Sequence, residues 1–560
     1  MLVLGIHYGH DSNVSLIKDG KCIYAISEER VSRKKFDNSW PQQSLDLIKN
    51  NFDFKNNKVD AIAIVGASRL EETTGGSLER IYKKFGIKKF FLQSIISKII
   101  NLFDNTFTFL SIRSLIAKKI IKKKLKNFNV DNNNIFFLDH HFCHAMGAFY
   151  ASNFIDNSLI VTCDGKGDGF SHKNFIGKVN QNGTKQIELI SSTKDYNSIG
   201  FFYSVVTEFI GFKRMRHEGK VTGLSAYGKK IENNKESPIK LSKDGMSLEN
   251  VLVKNHCKNK LLLFFNFLKL DFKLFLKILF NNAAIEGRYA QKLLFNYLEK
   301  NFKEESREDI SFYAQNILQK NIVKLIENFI KKYDFKNLCL SGGIFANVKL
   351  NQDILEKTKK NVFVMPGMDD GGLSIGASLF IYEKISNKPI IENFENIYFG
   401  PDYKEIEIEK AIKINNLKYF KEDNIEEKIA IELSKGKIIG RFNGRMEWGP
   451  RALGNRSILV SAADNSINEK LNDRLGRNEF MPFAPIIIYE NAEEYFENFP
   501  SHLRSIEFMT MTLNVKKNKI SDCSAVVHVD STARPQCVKS NINNSLYKIL
   551  EEYKKITKIP

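Results

Sequence analysis

Short apolar segments that run into polar or glycine-containing turns constrain the fold of this chain more than any other sequence feature. Two such segments, at residues 2–6 and 21–26, stand around the turn Lys18-Asp19-Gly20 and predict a β-hairpin. Helical patterns separate the later strand-like segments, which lie at residues 61–65, 135–138, 159–162 and 337–340. Strands that alternate with helices predict a layered α/β architecture.

The chain is long enough for more than one hydrophobic core. Its 560 residues predict roughly two to four domains. A helical pattern ends near residues 387–389, and a new strand–helix alternation begins after the turn Gly400-Pro401. We therefore predict one domain over residues 1–390 and a second over 391–560. A lysine-rich region at about 230–300 reads as helical and without motifs, which predicts an insertion or a helical cover.

Charge and cysteine usage narrow the class of protein. The net charge of +20 can mark a basic binding surface, but the lysines are spread along the whole chain, so base composition explains it equally well and no nucleic-acid partner is predicted. The seven cysteines form no CxxC pair, which favours a reducing compartment, the cytoplasm. Residues 89–122 and 260–280 are apolar but interrupted by charges, so they predict amphipathic helices rather than membrane spans.

A histidine-rich segment is the strongest chemical signal in the first half. His140 and His144 stand four residues apart, so on a helix both imidazoles face one side and can share a metal ion. Such a pair is common without a metal, but two acidic, glycine-rich turns, around Asp164 and Asp370, follow predicted strands. Mixed imidazole and carboxylate ligands suit Fe(II), Mn(II) or Zn(II) better than Ca or Mg. The pattern favours a metal site.

Glycine turns after the strands are candidate phosphate contacts. The pair Gly342-Gly343 joins a strand to a helix, where backbone N–H groups can meet an anion, although it can equally form a tight connection. Gly165 lies in the first acidic turn. Neither turn is a Walker loop or a dinucleotide-binding GxGxxG. The candidate contacts of this kind are Gly165, Gly342, Gly343 and Asn347.

Motifs along almost the whole chain resemble, in their order, the O-carbamoyltransferases of antibiotic and nodulation-factor biosynthesis. Those in the first half are HDSNVSLIKDG, SEERVSRKKFD, DHHFCHA, CDGKGDG, EGKVTGLSAYG, SGGIFANVKLN and PGMDDGGLSIGA. Those in the second half are GRMEWGPRALGNRSIL, EFMPFAP and HVDSTARPQCV. Each motif is modest alone, but the set is specific.

The resemblance implies a fold and an activity. The first domain should be a duplicated actin/hexokinase-like fold, similar to the catalytic subunit of tRNA threonylcarbamoyladenosine synthesis, and the second should be a YrdC-like α/β domain. The second domain would form carbamoyl-adenylate from carbamoyl phosphate and ATP, with Mg accompanying the ATP. The first would pass the carbamoyl group to a hydroxyl beside a divalent metal, Fe(II) in preference to Zn or Mn.

The resemblance also implies site residues. The implied metal ligands are His140, His144, Asp164 and Asp370. His10 and Lys35 fall where the family activates the acceptor and binds the carbamoyl group, and a neutral His10 could take the hydroxyl proton as general base. Arginines in the second domain could offset the charge of the triphosphate. The implied contacts to nucleotide and carbamoyl phosphate are Arg445, Arg451, Asn455, Arg456, Arg474, Arg477, His528, Asp530 and Arg534.

Two departures from the family pattern modify these expectations. Leu475 and Met481 stand where the family often has basic residues, with Arg474 as a candidate substitute. The chain stops at Pro560, short of a family segment that reads NTSFN, so the second domain is expected to be incomplete. The alternatives are a catalytically impaired metal- and nucleotide-binding relative, or a tRNA threonylcarbamoyl-type transferase. The expected acceptor is a sugar, nucleotide sugar or glycan precursor, and the resemblance is compatible with a homodimer.

Overall fold

Two mixed β-sheets organise the first part of the chain. The computed structural model describes residues 1–52, 54, 58–66, 118–231, 236–256, 285–477 and 479–560. Strands β1 to β5 run over Leu2–His7, Asn13–Lys18, Lys21–Ser27, Ala61–Val65 and Ile135–Leu138. Strands β6 to β12 run over Ser158–Gly167, Phe170–Val179, Lys185–Lys194, Ile239–Leu241, Leu248–Asn250, Asn337–Ser341 and Asn361–Val364.

The two sheets repeat one topology. The first has the strand order β3-β2-β1-β4-β5 and the second has β8-β7-β6-β11-β12. In each sheet the first three strands along the chain form an antiparallel meander, and the two later strands add in parallel beside the first. The same order and the same directions in both sheets confirm the predicted duplicated, actin/hexokinase-like α/β fold.

The predicted amino-terminal hairpin is wrong in its pairing. β3 pairs with β2, and β2 pairs in turn with β1, so a strand that was not predicted lies between the two that were. The polar residues Asn13 and Ser15 of β2 are fully buried, which hides its strand pattern. The Ser15 hydroxyl lies 2.9 Å from that of Ser378, and Asn13 donates to the Asp370 carbonyl oxygen at 2.8 Å.

Two central helices pack between the sheets at a glycine contact. The helices of this part, α1 to α10, run over Glu28–Ser32, Gln42–Asn51, His140–Ser152, Ile199–Phe209, Glu218–Leu224, Val251–His256, Ile285–Phe302, Arg307–Tyr333, Val348–Thr358 and Leu373–Ser386. Where α3 meets α10, a Cβ on Gly376 would stand only 2.0 Å from the Cys143 carbonyl oxygen. Glycine therefore permits a close crossing, and this crossing brings the first turn of α3 beside the turn that precedes α10.

The region at about 230–300 is not helical throughout. β9 and β10 form an antiparallel hairpin whose turn has Gly245 at φ +69°, and the Asp244 carboxylate accepts the Met246 N–H at 3.1 Å. A glycine-containing turn of this kind favours the hairpin over a continuous helix. Helices α6 and α7 follow the helical prediction, whereas residues 232–235 and 257–284 lie outside the described residues.

The second part of the chain combines helices with short strands, so the predicted α/β character of that part is confirmed. Helices α11 to α15 run over Glu405–Ile414, Ile425–Ser434, Ile467–Arg474, Ala492–Tyr495 and Asn544–Thr557. Strands β13 to β18 run over Ile439–Phe442, Arg456–Leu459, Ile486–Ile488, Leu513–Asn514, Thr532–Ala533 and Gln536–Val538. They pair as β13 with β14, β15 with β18, and β16 with β17.

The two parts of the chain share one hydrophobic core. Buried residues of the first part and of the second, such as Phe363 and Trp448, belong to a single apolar cluster. A Cβ on Gly367 would meet the Trp448 ring at 2.6 Å, so the indole fills the space above this glycine. The predicted boundary near residue 390 stays a prediction.

Within the described residues, each helix is too short or too polar to cross a membrane. Of the two predicted amphipathic stretches, residues 89–117 of the first and all of 260–280 lie outside those residues.

Candidate active site

Two histidines and two aspartates converge at the end of the central helices. Asp139 caps α3 by accepting the Phe142 N–H at 2.8 Å, and the first turns of that helix carry His140 and His144. The Nε2 atoms of these histidines lie 3.6 and 3.3 Å from Asp164 Oδ2, on β6. They lie 3.3 and 3.4 Å from Asp370 Oδ1, in the turn before α10. Four candidate ligand atoms therefore lie within 4.8 Å of one another.

Unsatisfied polar atoms show that this cluster fits a metal ion. Nε2 of His140, Nε2 of His144 and Oδ2 of Asp164 are buried without hydrogen-bond partners. Burial lowers the pKa of His140, but the charges of Asp370 and Asp164 outweigh it and raise the pKa to about 10. Burial and Asp370 raise the pKa of Asp164, but the close approach of the two histidines holds it below its usual range. A divalent cation would replace these protons and satisfy the buried atoms.

The neighbouring histidine is a structural residue. His141 Nδ1 lies 2.9 Å from Thr162 Oγ1, and its Nε2 lies 3.1 Å from the Phe170 carbonyl oxygen. Both ring nitrogens are therefore occupied. His144, by contrast, uses Nδ1 toward Ser341 Oγ at 3.0 Å and leaves Nε2 for a ligand. Contacts to the far ring nitrogen orient a metal-binding imidazole.

Most of the residues predicted to contact phosphate form hydrogen bonds within the protein. The Gly165 N–H donates to Asp164 Oδ1 at 2.7 Å, and the Gly342 N–H donates to the Met368 carbonyl oxygen at 2.6 Å. The Asn347 side chain donates to Gln315 at 2.7 Å and accepts the Leu350 N–H. These polar groups of Gly165, Gly342 and Asn347 are therefore bonded within the protein, and their contact with phosphate stays a prediction.

The fourth glycine of that set provides space instead. A Cβ on Gly343 would stand 3.2 Å from Asp164 Oδ1, so the absence of a side chain makes room for this carboxylate. Whether Gly343 also contacts phosphate stays a prediction.

His10 lies near the metal cluster and is paired with an aspartate. Its Nδ1 lies 2.7 Å from Asp11 Oδ2. Burial lowers the pKa of His10, but the hydrogen bond and the charge of Asp11 outweigh burial and raise the pKa to about 9. The role of His10 as the general base stays a prediction. Lys35 is exposed, with its Nζ 5.1 Å from the Phe36 ring centroid.

His7 was missed by sequence reasoning. It is buried, its Nε2 lies 3.0 Å from the His10 carbonyl oxygen and 3.9 Å from Asp370 Oδ2, and burial lowers its pKa to about 4. The His7 ring is therefore neutral, and its contact with the carbonyl oxygen holds the backbone at His10 in place. The available signal was a second closely spaced histidine pair at positions 7 and 10 of the sequence.

Three predicted arginines of the second part form a cationic cluster. Burial lowers the pKa of Arg534, and the charges of Arg451 and Arg477 lower it further. Burial also lowers the pKa of Arg451, which Asp369 partly opposes. Nε of Arg451 and Nε of Arg534 are buried without partners. Guanidinium groups with unsatisfied N–H donors have the chemistry that suits a polyanion.

Family models match both parts of the chain. The model described as "Carbamoyltransferase N-terminus" matches residues 2–379, and "Carbamoyltransferase C-terminus" matches residues 430–560. The chain belongs to the carbamoyltransferase family. It is therefore a carbamoyltransferase enzyme, and the resemblance that the motifs showed is confirmed.

Individual relatives of this carbamoyltransferase match along nearly its full length. Protein MJ1051 of Methanocaldococcus jannaschii is 32% identical over 98% of this chain and 90% of its own. Nodulation protein NolNO of Sinorhizobium fredii is 27% identical over 98% of this chain and 73% of its own. Among solved structures, HypF in its phosphate- and nucleotide-bound form is 13% identical, with a TM-score of 0.37, over 70% of this chain and 47% of the HypF chain.

Two other arginines predicted to bind nucleotide are structural in this carbamoyltransferase. Arg445 donates to the carbonyl oxygens of Ile23 and Phe399, both at 2.7 Å, and so fastens the two parts together. Arg456 donates to four carbonyl oxygens of nearby loops: Asn443, Gly444, Asn455 and Pro401. These N–H groups are therefore bonded within the protein, and the nucleotide contacts of Arg445 and Arg456 stay a prediction.

The other residues predicted to contact nucleotide also differ in whether their side chains are bonded within the protein. The Asn455 side chain donates to the Arg445 carbonyl oxygen and accepts from Asn543, and its contact with nucleotide stays a prediction. Arg474 is exposed at the end of α13. Asp530 Oδ2 lies 2.8 Å from Lys349 Nζ, and its Oδ1 accepts the Thr532 N–H and hydroxyl. His528, in contrast, keeps a buried and unsatisfied Nε2, which is available for a ligand.

A single carboxylate organises the loop that carries Arg451. Glu447 Oε1 accepts the backbone N–H groups of Leu453, Asn455 and Arg456, at 2.8, 2.6 and 3.1 Å. This buried contact closes the loop from residue 447 to 456. Glu447 was missed by sequence reasoning, although a carboxylate within an arginine- and glycine-rich motif was a signal.

Trp448 connects that loop to the metal cluster. Its Nε1–H donates to the Gly371 carbonyl oxygen at 3.2 Å, one residue beyond Asp370. Arg30 adds a bond to the Gly449 carbonyl oxygen at 3.1 Å. The cationic cluster and the metal cluster are therefore attached to one turn, where Asp369 faces Arg451 and Asp370 faces the histidines.

Proposed function

We propose that this enzyme is an ATP-dependent O-carbamoyltransferase. The observation that carries the proposal is the attachment of a cationic cluster, Arg451, Arg477 and Arg534, to the same turn as the His140/His144/Asp164/Asp370 cluster. Two such sites suit two successive reactions, one on polyphosphates and one on a hydroxyl.

The cationic cluster supports activation of the carbamoyl group. A carbamate is a poor electrophile, and adenylation gives it a good leaving group. Carbamoyl phosphate would release phosphate with water, and the resulting carbamate oxygen would attack the α-phosphorus of MgATP, expelling pyrophosphate. Arg451, Arg477 and Arg534 would hold the triphosphate and stabilise the charge on the departing pyrophosphate.

The metal cluster supports transfer to the acceptor. His140, His144, Asp164 and Asp370 would hold the divalent ion, with Fe(II) preferred for this mixed ligand set. When bound, the ion would supply Lewis-acid polarisation of the reacting oxygens. The acceptor hydroxyl oxygen would form a bond to the carbamoyl carbon while AMP leaves and the hydroxyl proton passes to His10. The Nδ1 atom of His10 lies 2.7 Å from Asp11 Oδ2, so Asp11 would orient the ring and the other ring nitrogen would take the proton.

The acceptor and the compartment are part of the proposal. We expect a hydroxyl of a sugar, nucleotide sugar or glycan precursor. The described cysteines are all buried and unpaired, which supports a reducing, cytoplasmic setting.

Pyrophosphate release from ATP is the test of the first half-reaction. Purified wild-type enzyme with Fe(II) should release pyrophosphate only when both ATP and carbamoyl phosphate are present. Arg451→Ala should lower the rate by at least about 100-fold, because it removes a buried charge aimed at the phosphates. Lys470→Ala is the control, since Lys470 is an exposed cation of α13 outside the predicted site, and it should keep nearly the full rate.

Two results would contradict the proposal. One is no pyrophosphate release from folded, Fe(II)-loaded wild-type enzyme. The other is equal rates in wild type and Arg451→Ala.

A further inference from the structure

A second group of cations lies beside His10, outside both clusters described above. The Phe36 ring centroid lies 5.7 Å from that of His10. The Arg216 guanidinium carbon lies 5.4 Å from the same ring, and Lys35 Nζ lies 5.1 Å from it. Lys35 follows α1, whereas Arg216 comes from the segment between α4 and α5, so distant parts of the chain converge here.

These two cations lack a carboxylate partner within the described part of the chain, although carboxylates are nearby. Glu29 is turned inward, where its Oε2 accepts the Phe36 N–H at 2.8 Å. Glu218 Oε1 accepts the Ser204 hydroxyl at 2.7 Å and the Met215 N–H at 2.6 Å. Each of these carboxylates already accepts hydrogen bonds from other groups of the protein.

Charges of both signs lie near this group. Burial lowers the pKa of His217, the charges of Lys220 and Lys35 lower it further, and the charges of Glu479 and Glu218 oppose them. Lys220 Nζ lies 3.9 Å from Glu479 Oε1, so this carboxylate is shared with a cation of its own. Two cations held at one ring without a counterion repel each other, and an anion between them would remove that cost.

The position of the group indicates which ligand it would bind. His10 is one residue contact from the metal cluster, because His7 Nε2 lies 3.0 Å from the His10 carbonyl oxygen and 3.9 Å from Asp370 Oδ2. A substrate whose hydroxyl reaches that cluster would extend past His10 to the Phe36 ring. Carbamoyl phosphate and ATP already have a separate cationic cluster in the second part of the chain.

We propose that Arg216, with Lys35, binds a phosphate group of the acceptor, so that the acceptor is a phosphate-bearing sugar, either a sugar phosphate or a nucleoside-diphosphate sugar. This inference rests on the proposed function. Phe36 is a positioning residue, because its ring holds the two cations beside the path to the metal cluster.

A labelling experiment tests the acceptor class. Full-length, Fe(II)-loaded enzyme is given ATP and carbamoyl phosphate labelled in the carbamoyl carbon, with one of two acceptor pools. The neutral pool holds glucose, galactose, mannose and N-acetylglucosamine. The anionic pool holds their 1-phosphates and UDP derivatives. Pyrophosphate release without acceptor is measured on the same preparation, so that failure of activation is distinguished from failure of this inference.

We expect label to enter the anionic pool. In Arg216→Glu, transfer relative to acceptor-independent pyrophosphate release should fall at least about tenfold, because a repulsive charge then faces the phosphate. Arg216→Lys should recover part of the transfer. Lys213→Glu is the matched control, since it makes the same charge change on the same segment, and it should keep the wild-type ratio.

Three outcomes would overturn the inference. They are preferential labelling of the neutral pool, an equal loss of transfer in Lys213→Glu, and pyrophosphate release with no label transferred to either pool.

Discussion

The three histidines of α3 have different roles because their ring nitrogens contact different partners. His141 has both ring nitrogens hydrogen-bonded, whereas Nε2 of His140 and Nε2 of His144 face the two aspartates without a hydrogen-bond partner. Sequence spacing identifies the pair four residues apart, but the roles follow from what each ring touches.

Removing one of these ligands should remove the metal. We expect His144→Gln to weaken Fe(II) binding by at least about 100-fold, since loss of an orienting contact alone typically costs 10- to 100-fold. His141→Asn should lower the melting temperature but keep stoichiometric iron. Metal analysis after dialysis, with circular dichroism as the folding control, separates the two. Equal iron in wild type and His144→Gln would refute the assignment.

Glu447 should act through Arg451. Glu447→Gln keeps the shape of the side chain but loses its charge toward three backbone N–H groups, and we expect the KM for ATP to rise about tenfold. Iron content should stay at the wild-type value, because the metal ligands are untouched. Glu490→Gln, at an exposed position, is the control. A lower melting temperature with an unchanged KM would show that Glu447 supports only the fold.

At the scale of elements, an ion pair connects the first part of the chain to the second. Lys349, in the first turn of α9, lies 2.8 Å from Asp530, just before β17. Burial raises the pKa of Asp530, but the hydrogen bond from His528 and the charge of Lys349 outweigh it and hold the pKa well below the ordinary 3.8. The carboxylate is therefore more acidic in the folded chain than in the unfolded chain.

The sign of this shift predicts a pH dependence. A carboxylate with a depressed pKa stabilises the fold above its unfolded pKa, and that contribution is lost as the pH falls through the folded pKa. At pH 7, Asp530→Asn should lower the free energy of unfolding by about 1–2 kcal/mol. The difference in melting temperature between wild type and variant should shrink as the pH falls below about 4. A difference that grows on acidification would contradict this account.

At the scale of the whole molecule, the two parts meet at a helix glycine. A Cβ on Gly223, in α5, would lie 2.9 Å from Met481 Cγ and 3.2 Å from Phe480 Cβ. These two residues follow Arg477 closely in the chain. The packing at Gly223 and the cationic cluster are therefore linked by a short stretch of chain.

Filling that interface should impair both stability and ATP use. We expect Gly223→Ala to cost about 1–3 kcal/mol of stability and to raise the KM for ATP. Gly219→Ala is the matched control in the same helix, because a Cβ there meets nothing within 4 Å. Adding Met481→Ala to Gly223→Ala should recover part of the loss, as a double-mutant cycle of contacting residues requires. Strictly additive losses would show that the two side chains do not interact.

The sequence by itself determined the features that depend on short-range geometry. Strand segments ending in polar turns predicted most strands of both sheets, and the four-residue spacing placed His140 and His144 on one helix face. Such patterns are readable because periodicity and turn residues act within a few positions. The buried polar strand β2 and the pairing of His10 with Asp11 escaped them, because both depend on how the side chains pack in three dimensions.

Only the tertiary structure decided which arginines remain available for a ligand. Arg445 and Arg451 belong to one motif, yet Arg445 donates to carbonyl oxygens of Ile23 and Phe399, while Nε of Arg451 has no partner. A guanidinium is a ligand site only where the fold leaves its N–H groups unsatisfied. Those carbonyl groups lie far away along the chain, so no local pattern could have distinguished the two residues.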